Sequence, residues 1–196
     1  ETYRSDTERQ PDITLDGTKE DYEKLRKQYP HLSIEECEYS CAGAEFYMKL
    51  LKHQGFMIHA SAVEKEGKAY LFSAPSGTGK STHAQLWRQT FKGEPIRIIN
   101  DDKPAVCLQN GVFYACGTPF SGKTDKNENR KAPIQGLCML HRGKTNKIQK
   151  ITSGEALPLI LPQTLFYGDE EETNLLLSFL DRFLQSVPVY KMECTM

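Results

Sequence analysis

The stretch Ala74-Pro75-Ser76-Gly77-Thr78-Gly79-Lys80-Ser81 lies between a short apolar run, Ala69–Ser73, and a helical pattern from about Gly79 to Phe91. A strand that enters a glycine turn and leaves as a helix restricts the possible folds sharply. The stretch fits G-x-x-x-x-G-K-[ST], with Ala74 in place of the first glycine. In that pattern the glycines let backbone N–H groups point inward at phosphate oxygens, and the helix adds its positive N-terminal end. Lys80 would then reach the β- and γ-phosphates of a nucleotide, and the Ser81 hydroxyl would ligate Mg²⁺. The segment Ala74 to Ser81, with Thr82 after it, reads as a nucleotide-binding loop rather than a glycine-rich helix entry with no ligand.

Most chains with such a loop enter it from a strand of a parallel sheet. Here Phe56–Val63 and Ala69–Ser73 flank the polar turn Glu64-Lys65-Glu66-Gly67-Lys68, which predicts an antiparallel hairpin. A turn centred near Lys65 or Glu66 puts His59 opposite Phe72 to Ala74, at the mouth of the loop. His59 also shares a strand face with Met57 and Ser61. Farther on, Arg97-Ile98-Ile99-Asn100-Asp101-Asp102 ends a β-branched strand in two carboxylates. Ligands of α/β sheets gather at the carboxyl ends of strands. Two acids there suit one Mg²⁺ ligand and one proton acceptor; the competing reading is ordinary turn chemistry before Lys103-Pro104.

The other elements follow from periodicity and punctuation. Helices are predicted over Thr18–Tyr29, with Thr18 and Asp21 at capping-box spacing, and over Tyr39–His53. Strands at Ala105–Leu108 and Val112–Cys116 flank Asn110-Gly111, a hairpin turn signal. Gly117 to Lys131 reads as a long polar loop, a class that is functional or disordered. Its Lys123 and Arg130 are candidates to stabilise charge on a transferred phosphoryl group. A strand resumes over Pro133–His141, and Leu176, Phe179, Leu180, Phe183, Leu184 and Val187 mark an amphipathic helix stopping before Pro188. His83, Trp87 and Phe91 are expected to pack against the sheet. No internal repeat is visible. We divide the chain into an N-terminal helical and strand appendage over residues 1–55 and a core domain over 56–196.

Composition narrows the functional classes. With 196 residues the chain suits one domain with a small appendage. The net charge of −1, with both signs scattered, supplies no basic stripe for nucleic acid. The apolar runs Leu157–Leu161 and Leu175–Leu180 are far too short for a membrane span. The six cysteines, Cys37, Cys41, Cys107, Cys116, Cys138 and Cys194, lack a partner set for zinc and read as buried thiols of a reducing cytoplasm.

Taken in order, "IHASAV", "APSGTGKST" and "INDDKPAV" resemble the catalytic domain of HPr kinase/phosphorylase and the phosphoenolpyruvate carboxykinase type of nucleotide-binding fold. Together with "GTPFSGK" they are most similar to small HPr-kinase-like proteins. The resemblance covers roughly His59 to Leu140. It implies an α/β domain with a mixed, partly antiparallel sheet around the loop, ATP and Mg²⁺ as cofactors, and a kinase activity. Lys80 and Ser81 would hold phosphate and metal, Asp101 would be the base, Asp102 the metal ligand, and His59 a neighbour that tunes the base or touches the metal. The acceptor would be a hydroxyl, as in a serine of a peptide or protein, or in a small molecule such as free serine. No nucleic acid or membrane partner is implied, and a homo-oligomer is compatible with the family. A nucleotide sensor without phosphoryl transfer is the rival class; it needs Lys80 and Ser81 but not a base. An ATPase is a third reading.

Overall fold

A computed structural model describes residues 11–165 and 168–195, with only the backbone described at Lys123. Two helices come first. Helix α1 (Lys19–Gln28) begins at Thr18, whose side chain accepts from the Asp21 backbone while the Asp21 carboxylate accepts from Thr18. This is the reciprocal cap that the spacing predicted. Helix α2 (Ile34–Leu50) starts earlier than its apolar stripe announced, because Ser33 and Glu36 form a second capping box ahead of it. The polar first turn carries the start; the stripe marks only the packed face.

The predicted strand Phe56–Val63 is two strands. Strand β1 (Gly55–Met57) and strand β2 (Ala60–Lys65) are separated at Ile58-His59. Strand β3 (Lys68–Ser73) returns antiparallel to β2, with Lys65 opposite Lys68 and Ala60 opposite Ser73. Glu66 and Gly67 take φ of 52° and 74°, the left-handed pair that a two-residue hairpin requires. His59 is therefore next to Ala74 across the ladder, as the hairpin argument expects. Helix α3 (Lys80–Thr90) follows, then strand β4 (Arg97–Asn100). Strands β5 (Ala105–Gln109) and β6 (Val112–Cys116) turn at Asn110-Gly111, both at positive φ.

The remaining elements depart more from expectation. Strand β7 (Lys131–Arg142) is longer than predicted. Strand β8 (Lys147–Ile151), helix α4 (Ser153–Ile160), and strand β9 (Val189–Cys194) have no counterpart in the sequence reading, and helix α5 (Glu170–Ser186) begins six residues before its first marked apolar position. β8 alternates Lys147, Gln149 and Lys150 with only Ile148 and Ile151, too little apolar signal to register as a strand. Asp169 caps α5 through the Glu172 backbone, and its acidic first turn suits a helix N-terminus.

Together the strands form one nine-stranded sheet in the order β1-β5-β6-β7-β3-β2-β4, with β9 on β7 and β8 on β9. The fold is thus α/β with a mixed, partly antiparallel sheet. β7 joins its parts: Lys131 to Pro133 pair antiparallel with β6, whereas Ile134 onward runs parallel to β3 and Leu137 onward parallel to β9. Side chains alternate across it. Leu71, Leu137 and Met139 join Phe179, Leu180 and Phe183 of α5 in the main core. Phe72, Cys138 and Leu140 pack on the other face with Ala84 and Trp87 of α3. Each fully buried Leu or Phe contributes roughly 1.5–3 kcal/mol. A third cluster sets Tyr47 and Leu50 of α2 against Met57, Ala105 and Phe120. All six thiols are free, with Cys37 and Cys138 buried. Among the described residues, no helix is long and apolar enough to cross a membrane.

Candidate functional site

Three segments converge where β3 and β4 end. The first is the 74–79 loop. Gly77 and Gly79 sit at φ of 76° and 113°, a region closed to most side chains, and nothing lies within 4 Å of where a Cβ would be. Gly79 is the N-cap of α3 and offers no side chain to its first-turn amides, so those N–H groups stay available. Ala74 is buried, and its carbonyl accepts a hydrogen bond from Lys80 Nζ at 3.0 Å. Lys80 is only 6% exposed; burial pulls its ammonium below the ordinary lysine range against the attraction of Asp102 and Asp101. From the far end of β7, Arg142 donates to the Gly77 carbonyl at 2.7 Å.

The second segment is the turn after β4. Asn100 is fully buried, and its side-chain oxygen accepts from the backbone N–H of Asp102 (2.9 Å) and Lys103 (2.7 Å) while its amide donates to Thr118. Asp101 is 3% exposed. Its two carboxylate oxygens accept from the Ser61 hydroxyl at 2.7 Å and the Thr124 hydroxyl at 2.8 Å. Asp102 faces the other way, within 3.2 Å of both His59 Nε2 and Lys103 Nζ. Burial pushes its carboxyl up, but the His59 hydrogen bond and the Lys103 charge outweigh this and hold it below the usual range. His59 sits in the break between β1 and β2, its N–H bonded to the Gln163 carbonyl and its C=O accepting from Ser73.

The third segment is the 117–130 loop, which is tied down rather than free. Its backbone bonds β4 and the turn after it through Glu128 N–H to the Ile99 carbonyl and the Lys126 carbonyl to Asp101 N–H. Ser121 donates to Asp125, Asn127 donates to Ser121, and Ser121 N–H donates to the Tyr39 hydroxyl on α2. Gly122, at φ 66°, comes so close to Asp102 that a Cβ would lie 2.8 Å from its carboxyl carbon.

These segments enclose a cleft of about 640 Å³, lined by the 76–82 region, His59, Asp101, Asp102 and Lys103, and by Ser121, Gly122 and Thr124. Of the residues singled out in the sequence, His59, Ser76, Gly77, Gly79, Lys80, Ser81, Thr82, Asp101 and Asp102 line it. Ala74 lies beneath the loop, and Pro75 and Thr78 complete its turn without lining the cleft. Arg130 does not reach it: Nε and a terminal nitrogen are bonded to the Glu64 carboxylate at 2.8 and 3.0 Å, near the hairpin end of β2. The Lys123 side chain is outside the described residues. His83 and Trp87 pack at tilted and edge-on angles against Phe72 and Tyr70, Phe91 packs edge-on against Trp87, and burial pushes the His83 imidazole down.

Sequence reading missed Lys103, Ser121, Gly122 and Thr124. Lys103 had a signal, since it adjoins the acid pair, and Ser121 and Gly122 fall within the GTPFSGK stretch; Thr124 carries none without the fold that brings its loop across. Among the described residues, no group of three or more His, Cys, Asp and Glu is placed to hold a metal. Ser81 and Asp102 nevertheless face the same cleft, and Mg²⁺ commonly takes one or two protein ligands plus phosphates and water.

No family model and no curated protein matches the chain. Among solved structures, the Hpr(Ser) kinase/phosphatase from Coxiella burnetii aligns with a TM-score of 0.39 at 10% identity, covering 71% of this chain and 85% of that one. This is a remote likeness, and it assigns no residue a role.

Proposed function

We propose that the chain is an ATP-dependent phosphotransferase that moves the γ-phosphoryl group of Mg-ATP to a hydroxyl acceptor, with a serine of a peptide or protein as the favoured acceptor. One observation carries the reading: Lys80 and Ser81, the acid pair and His59 come from three separate segments and line one cleft. A site that only sensed nucleotide would need the loop but not the buried, doubly hydrogen-bonded Asp101.

In this reading the uncapped amides at the start of α3 and the Lys80 ammonium bind the phosphates. Ser81 and Asp102 would hold Mg²⁺, which would supply positive charge to neutralise the phosphates. His59 keeps the Asp102 carboxylate turned toward the cleft. Asp101, fixed by Ser61 and Thr124, accepts the acceptor's proton as its oxygen bonds to phosphorus and the bond to the bridging oxygen of ADP breaks. The polar 121–124 wall is where the acceptor enters.

A phosphorus NMR time course tests this, with Mg-ATP and a mixture of free serine and serine-ended peptides, alongside Asp101→Asn. A phosphomonoester signal growing with ADP, and missing for the variant, is the expected result. Bound ATP that stays intact with every acceptor would favour the sensor; ADP with free phosphate alone would favour an ATPase.

A further inference from the structure

The cleft holds a cation that the motif does not account for. Its charged lining residues among those described are Lys80, Lys103, Asp101 and Asp102. Lys80 belongs to the loop wall, whereas Lys103 belongs to the wall that carries the acids. Among the described residues, Lys103 is the one cationic side chain on that wall, beside the two carboxylates.

The Lys103 backbone is anchored from three directions. Its N–H donates to Asn100 at 2.7 Å, and its carbonyl accepts from the Tyr47 hydroxyl at 2.5 Å and the Thr118 hydroxyl at 2.9 Å. Pro104 follows and limits the backbone further. The side chain is treated differently. It is 38% exposed and makes an ion pair with Asp102 at 3.2 Å. A pair this open contributes little to holding a fold together. A fixed backbone with a part-exposed, charged tip at a cleft wall is what a substrate-facing lysine needs.

We propose that Lys103 is a catalytic residue: its ammonium leaves Asp102 and donates to the oxygens of the phosphoryl group in flight, opposite Lys80. This rests on the phosphotransferase reading and assigns to Lys103 the charge-stabilising part that the sequence suggested for Arg130 or Lys123. Charge spreads over the equatorial oxygens as the group crosses from the loop wall to the acid wall. A donor already aimed there stabilises the transition state more than the bound nucleotide. Lys103 transfers no proton and forms no covalent bond.

The test compares wild type, Lys103→Gln and Lys103→Arg in three measurements: calorimetric binding of a non-hydrolysable ATP analogue with Mg²⁺, the rate of ADP and phosphomonoester formation from Mg-ATP with the mixture of free serine and serine-ended peptides, and thermal unfolding. Lys103→Gln should keep analogue affinity and melting temperature while turnover falls on the order of a hundredfold. Lys103→Arg should recover part of the loss, since a guanidinium keeps the charge and donors. Unchanged turnover in Lys103→Gln overturns the inference and leaves the phosphotransferase reading standing. A lower melting temperature with turnover lost equally in both variants makes Lys103 structural and also overturns it. A wild type that binds no analogue, or binds it and forms no ADP, removes the phosphotransferase reading itself and this inference with it.

Discussion

The two loops that border the cleft are built on opposite plans. The 74–79 loop is kept open by what its residues lack: Gly77 and Gly79 have empty space beside them, and the α3 amides have no side-chain cap. The 117–130 loop is held by what its residues have, since Ser121, Thr124, Asp125 and Asn127 spend their polar groups on one another, on Asp101 and on α2. The first loop thus leaves backbone donors facing solvent at the cleft, which is the arrangement that the proposed phosphate binding needs. The second is ordered beforehand, so the acid wall loses little conformational freedom when the cleft fills.

Substitutions can break this contrast. The largest effect is expected from Lys80→Ala, which should weaken Mg-ATP binding by at least on the order of a hundredfold, about 2.7 kcal/mol, in a calorimetric titration. Asp101→Asn should leave binding in place and lower transfer by on the order of 10²–10⁴ in the NMR assay; lost binding instead would move Asp101 to the metal. Thr124→Val removes one of the hydroxyls on Asp101 and should cost about 1 kcal/mol in denaturant unfolding, with transfer slowed and nucleotide affinity kept. If it abolished affinity without loss of stability, the second loop would be a ligand-binding element and the contrast would fail. Arg130→Gln should lower the melting point slightly, through Glu64, and leave transfer untouched; a kinetic defect would return Arg130 to the chemistry.

The smallest effect is one of acidity. Asp102 is held below the usual carboxylate range, so its contribution to stability is present above the unfolded value of about 3.9 and disappears as pH falls through the lower folded value. Asp102→Asn should flatten that acid limb in urea unfolding measured at a series of pH values. Binding has an alkaline counterpart. Lys80 loses its proton below the ordinary lysine range, so analogue affinity should fall before free lysine titrates.

What was legible in the sequence was local. The Thr18–Asp21 cap, the Asn110-Gly111 turn, and the strand–loop–helix around Gly79 each depend on neighbours in the chain, and each appears where their residues predict. The register that sets Ala60 opposite Ser73, with His59 one residue beyond, could be read because only a short polar turn separates the strands. What escaped depended on distant partners. β8 and β9 find their place only against β7, and the cleft-facing part of the polar loop is shaped by Tyr39, Asp101 and Ile99. The pairing of Arg130 escaped for the same reason: a basic residue beside a long loop looks unpartnered until Glu64 of β2 is seen to hold it.

β7 has a consequence for how the protein is made. It supplies the second neighbour of β3, yet it follows α3, β4 and the β5–β6 hairpin in the chain. A growing chain on the ribosome must therefore present β3 with one edge unpaired until β7 emerges. Pairings of such long sequence separation form slowly and leave apolar edges open to other chains. The loop with the clearest sequence motif is thus attached to a strand that is among the last to be enclosed during synthesis.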